Sequence, residues 1–119
     1  TTFGGNPLAT RAASEVIDIM LEADFLESVK EKGNYLRAEL DKLVAEYDNL
    51  IETRGKGLML ALELGEGLSA KEITNELFER GFLVNAVKEH TLRFLPPLVV
   101  ENEDMDLLLK NIKEIIQNK

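Results

Sequence analysis

Neither cysteine nor tryptophan occurs in this sequence, histidine occurs once, and proline three times. Without cysteine there is no disulfide, no thiolate nucleophile and no cysteine-ligated metal site. That absence fits a reducing compartment, so a cytoplasmic location is the expectation. His90 alone cannot provide a paired-imidazole motif, and no helix sets a His/Glu group at ligand spacing, so no metal site is expected. Basic residues are also scarce. Fourteen Lys and Arg face twenty-two Asp and Glu, a net charge of −8, which argues against a nucleic-acid partner. No apolar run approaches the ~18 residues of a membrane span, and no charged leader with an apolar core suggests a secretory signal. The acidic stretch ENEDMD lacks the spacing and central glycine of a calcium loop.

What is present describes one small globular domain. The 119 residues are 45% hydrophobic and 30% charged, enough to bury a core. The first residue is threonine rather than methionine, as expected of a processed chain or a segment of a longer one.

Asn6 caps a first helix with Pro7 at its first position, and Leu8, Ala12, Val16, Ile19 and Met20 recur at helical spacing up to about Glu22. Asp24 reads as the cap of a longer helix to about Tyr47, with Phe25, Val29, Leu36, Leu40 and Leu43 on one face and Gly33 inside it. Ile51 and Thr53 alternate as in a strand, and Gly55 and Gly57 mark a bend. Leu58 to Leu64 is almost continuously apolar, which predicts a strand buried on both faces or nearly so. Ser69 and Glu72 form a capping box for a helix ending at Gly81. Short strands are expected at Phe82 to Asn85 and at Thr91 to Leu95, the second stopped by Pro96-Pro97. Asn102 is expected to cap a final helix carrying Met105, Leu108, Leu109, Ile112, Ile115 and Ile116 inward. The fold class is therefore α+β: a small, largely antiparallel sheet with helices on one face, preceded by long helices that exceed what the sheet needs.

Two stretches carry chemistry. In TTFGGNP, hydroxyls, two unhindered glycines and a helix start suit a phosphate, with Thr2 the foremost donor. The same residues also make an ordinary turn and cap. In HTLRFLPPL, Arg93 lies on an apolar strand before a rigid Pro-Pro and either presents a planar fork to a carboxylate or pairs with one of the chain's own acids. Arg54, beside the glycine bend, reads as a structural ion pair, and Lys56 and His90 as surface residues. No nucleophile, base or electron sink is evident, so no catalytic residue is assigned.

TTFGGNPLA, RGKGLMLALEL, GFLVNA and LRFLPPL, in that order, resemble the C-terminal part of class-III (ornithine-type) pyridoxal-phosphate aminotransferases, and the likeness covers essentially the whole chain. The resemblance implies that Thr2, assisted by the backbone N–H of Thr1, binds the phosphate of pyridoxal 5'-phosphate across a homodimer interface. It implies that Arg93 grips the α-carboxylate of an amino-acid substrate, and that Arg54, Gly55 and Gly57 belong to a structural motif. It further implies leading helices over 1–48 that connect to a large domain, and a small domain of a fold-type I enzyme over 49–119. The Schiff-base lysine, the aspartate at the pyridine nitrogen and the glycine-rich phosphate loop would lie upstream. The chain by itself is thus expected to be inactive, and in the whole enzyme an amino donor such as N-acetylornithine would pass its amine to 2-oxoglutarate. The competing expectation is a stand-alone module of the same fold that binds amino acids or carboxylates without catalysis.

Overall fold

The computed structural model describes all residues, 1–119. Eight elements follow in order: α1 (Pro7–Met20), α2 (Phe25–Glu46), β1 (Leu50–Lys56), β2 (Met59–Leu64), α3 (Ala70–Glu79), β3 (Asn85–Lys88), β4 (Thr91–Phe94) and α4 (Asn102–Gln117). The four strands form one antiparallel sheet in the order β1-β2-β4-β3. The chain leaves β2, crosses through α3 to β3, and returns to place β4 in the gap between them. The strand bearing Arg93 is thus an inner strand, hydrogen-bonded on both sides.

Local chemistry sets the element ends. Asn6 Oδ1 accepts the N–H of Ala9 at 3.0 Å and Ser69 Oγ accepts that of Glu72 at 3.4 Å, as their capping positions require. Gly81, at φ 90°, ends α3 in a Schellman turn: Phe82 N–H donates to Leu77 and Gly81 N–H to Phe78. Two expected caps differ. Asp24 does occupy the N-cap of α2, but in the left-handed region at φ 69° and without a side-chain bond. The cap position of α4 falls on Glu101, so Asn102 is already helical; Glu103 and Asp104 complement the helix dipole instead.

Two strand expectations also shift. Leu60, Leu62 and Leu64 are buried, whereas Met59 is exposed and Ala61 and Glu63 are half-buried, so β2 alternates rather than being covered on both faces. Helices lie on one face only, and the apolar run conceals a period of two. The third strand begins at Asn85, not Phe82. Phe82 and Val84 instead pack against the core from a segment outside the sheet.

The core is the layer between the sheet and α2, α3 and α4. Leu36, Leu40 and Leu43 of α2, Ile73 and Leu77 of α3, and Ile112, Ile115 and Ile116 of α4 meet Leu60, Leu62, Leu64, Leu92 and Phe94 of the sheet. Tyr35 donates a short hydrogen bond to Asp106, tying α2 to α4 and, with partial burial, pushing its phenol up to about 12. The helix α2 therefore packs onto this sheet, while α1 buries no residue at all and leaves Leu8 and Ile17 exposed, as are Phe3 and Leu21 on either side of it. The projecting α1 raises the radius of gyration to 16.9 Å, against about 13.5 Å for a compact chain of this length.

One buried group is unsatisfied: Thr53 Oγ1, on the helix-facing side of β1 opposite Leu62, has no hydrogen-bond partner. Thr53→Val keeps the shape and removes the orphan, so it should stabilise the chain by about 1 kcal/mol. Thermal unfolding followed by circular dichroism checks this; a lower melting temperature for the variant would mean that the hydroxyl contributes in the native state.

Candidate functional site

The sheet face turned away from the helices carries the candidate site. Strand register fixes which side chains share it. Arg54, Ala61, Arg93 and Asn85 form one row across the four strands, and Glu52, Glu63, Thr91 and Lys88 form the next. With Lys56, four cationic side chains meet two carboxylates on this face, the reverse of the balance in a chain of net charge −8.

The two arginines of the first row differ. Arg54 donates to Glu52 Oε1 at 2.9 Å and to Glu63 Oε2 at 2.8 Å, the structural ion pair expected of it. Thr91 Oγ1 also donates to Glu63 Oε2, at 2.8 Å. Partial burial disfavours the Glu63 carboxylate, but these bonds from Thr91 and Arg54 outweigh it and hold its pKa below the ordinary value. Arg93 is exposed, and its side chain has no hydrogen bond or ion pair. The other four arginines, Arg11, Arg37, Arg54 and Arg80, each have one. Its neighbour in the row is Ala61, which leaves the guanidinium unobstructed on that side. Glu63 escapes sequence reading because the LALEL run is otherwise apolar, and Thr91 because only the pairing of β2 with β4 sets it opposite Glu63. The lone acid two residues after a small alanine is the signal that a period-two reading would have found.

The opening threonines lie elsewhere. They sit in the turn before α1, whose packing is against α2 rather than the sheet, so the chain does not bring Thr1 and Thr2 to Arg93. Neither hydroxyl has a hydrogen-bond partner, and both residues are exposed. A Cβ at Gly4 would come within 2.5 Å of Thr1 Oγ1, so glycine is what lets that hydroxyl fold over the turn. The helix end contributes less than its sequence suggests: Pro7 has no N–H, and that of Ala9 is taken by Asn6. The donors left open at this end are the two threonine hydroxyls, the turn backbone and the N–H of Leu8.

His90 is also placed structurally. Its Nδ1 lies 2.8 Å from the carbonyl of Leu68, joining the β3–β4 turn to the start of α3. No cluster of three or more His, Cys, Asp or Glu is arranged to hold a metal, and no helix is long and apolar enough to cross a membrane.

The model of the family Aminotransferase class-III matches residues 1–116. This chain belongs to the class-III aminotransferases. Acetylornithine aminotransferase of Methanocaldococcus jannaschii is 41% identical over 115 residues, 97% of this chain and 28% of that protein. Ornithine aminotransferase of Staphylococcus epidermidis is 37% identical over 97% of this chain and 28% of its own length. Among solved structures, acetylornithine aminotransferase from Elizabethkingia anophelis superposes with a TM-score of 0.86 at 31% identity, covering 100% of this chain and 32% of that one. Lysine aminotransferase from M. tuberculosis superposes with a TM-score of 0.88 at 28% identity, over 98% and 28%. This class-III aminotransferase chain therefore spans somewhat over a quarter of the length of the curated relatives it matches. The α+β fold is that of a domain in pyridoxal-phosphate aminotransferases, and the family is one that depends on that cofactor.

Proposed function

We propose that this chain is the C-terminal part of an acetylornithine:2-oxoglutarate aminotransferase of arginine biosynthesis, a cytoplasmic homodimer, and that it is inactive by itself. The observation that carries the reading is Arg93: a guanidinium without a partner, on a rigid inner strand, at the head of the family's RFLPPL stretch. Residues 1–48 lead from a large domain and residues 49–119 form the small domain, with α2 laid across its sheet.

Bound pyridoxal phosphate supplies the carbon that accepts an amine and the ring that stabilises the adjacent negative charge. The rest of this chain's contribution is grip and orientation. Arg93 holds the α-carboxylate of the amino donor by a charge-assisted fork, which directs the distal amine away from the sheet. The same fork takes a carboxylate of 2-oxoglutarate, which leaves as glutamate. Thr2, with the backbone N–H of Thr1, holds the cofactor phosphate of the opposite subunit. No lysine of the chain is assigned to the cofactor.

Acetylornithine is favoured over ornithine, succinylornithine and 4-aminobutyrate by the similarity to acetylornithine enzymes at about 40% identity. The full-length protein assayed with each donor and 2-oxoglutarate should prefer N-acetylornithine in kcat/KM; preference for another donor would move the assignment within the family. Thr2→Ala should weaken cofactor binding about tenfold, the scale of one hydrogen bond to a charged group, and leave substrate KM unchanged. Cofactor titration by absorbance measures this, and an unaltered dissociation constant would remove Thr2 from the phosphate site. A non-catalytic amino-acid-binding module is the alternative; a full-length protein that binds the amino acid but transfers no amine would favour it.

A further inference from the structure

On the open face of the sheet, one carboxylate has two arginines within reach. Ala61 stands opposite Arg54 on one side and Arg93 on the other. Glu63 lies two residues further along β2, diagonal to both, and such diagonal positions are about 7–8 Å apart, a span that long side chains cross. Glu63 is thus placed to pair with either guanidinium. It pairs with Arg54, at 2.8 Å, and the same oxygen accepts the Thr91 hydroxyl at 2.8 Å. Arg54 also engages Glu52 at 2.9 Å, so both carboxylates of the face are taken up and none reaches Arg93. Thr91 is 4% exposed and lies two residues before Arg93 on the same inner strand, which fixes its hydroxyl.

We propose that Arg54 and Thr91 are positioning residues that hold the Glu63 carboxylate off Arg93, keeping Arg93 open to the carboxylate of an incoming amino acid. The proposal rests on Arg93 being the substrate-carboxylate residue. Without the clamp, Glu63 becomes an internal ligand that competes with substrate. Because Arg54 and Glu63 are 45% and 25% exposed, the clamp contributes little to stability, and its effect falls on substrate affinity.

Steady-state kinetics of the full-length enzyme in its pyridoxal-phosphate form, with N-acetylornithine and 2-oxoglutarate, test this. Arg54→Gln should raise KM about three- to tenfold, the scale of one partly exposed ion pair turned against the substrate, with kcat and cofactor affinity held. The double variant Arg54→Gln/Glu63→Gln should return KM to within about twofold of the parent, because the competing charge is gone. Thr91→Val should raise KM in the same direction, and decides the matter if Arg54→Gln does not fold. An unchanged KM in the single variant overturns the proposal, as does a raised KM that the second substitution fails to restore, which marks a purely structural role. Arg93→Lys separates the two levels. If it leaves KM unchanged, the assignment of Arg93 fails; if it raises KM while Arg54→Gln is silent, only the clamp fails.

Discussion

Arg93→Ala in the full-length enzyme should lower kcat/KM for the amino donor about 100-fold, near 3 kcal/mol, the upper end for hydrogen bonds to a charged group. The size follows from the geometry of the fork. A guanidinium presents parallel donors to both oxygens of a carboxylate, so truncation removes two bonds and a charge together. Arg93→Lys should recover only part of the loss, because an ammonium offers a point charge without the planar match. Cofactor affinity should not change, since Thr1 and Thr2 lie in the turn before α1 and away from Arg93. Equal loss of cofactor and substrate binding would instead point to a disturbed sheet, and unchanged kinetics would refute the role.

The second large effect concerns a glycine where a helix would prefer almost anything else. Gly33 is buried in the middle of α2, and a Cβ there would lie 2.6 Å from the carbonyl carbon of Gly57 and 2.9 Å from its Cα. The helix crosses the β1–β2 turn at backbone contact distance, and Leu58, the second residue of that turn, enters the core at 4% exposure. Helix propensity alone predicts that Gly33→Ala gains about 1 kcal/mol. Against backbone atoms that cannot rotate away, the clash should reverse the sign and leave a net loss of about 2 kcal/mol. Urea unfolding of the chain measures this directly; a stabilised variant would show that the turn yields easily.

These two positions show which features a sequence discloses. Asn6-Pro7, the Ser69–Glu72 box and Gly81 were legible because each acts on a neighbour within a few residues. The apolar faces of α2 and α4 were legible from their spacing, and of the leucines and isoleucines they named all are buried except Leu108, which is half-buried. Gly33 goes against helix propensity, and its reason, Gly57, is brought to it only by tertiary packing. The open face was hidden for the same reason. Arg54, Ala61, Arg93 and Asn85 are neighbours only once β4 has been inserted between β2 and β3. The fold class and the identity of Arg93 as a candidate could be read from the chain; its freedom from every acid could not.

The contrast between α1 and β4 has a consequence for local opening. A helix of 14 residues with nothing buried is marginal in water, so the amides of α1 should exchange with solvent through fraying alone. The amides of Leu92 and Phe94, bonded on an inner strand beneath buried side chains, should exchange only when the whole domain opens. The threonine turn and the arginine strand thus belong to different cooperative units. One is ordered by whatever it meets, and the other arrives already rigid.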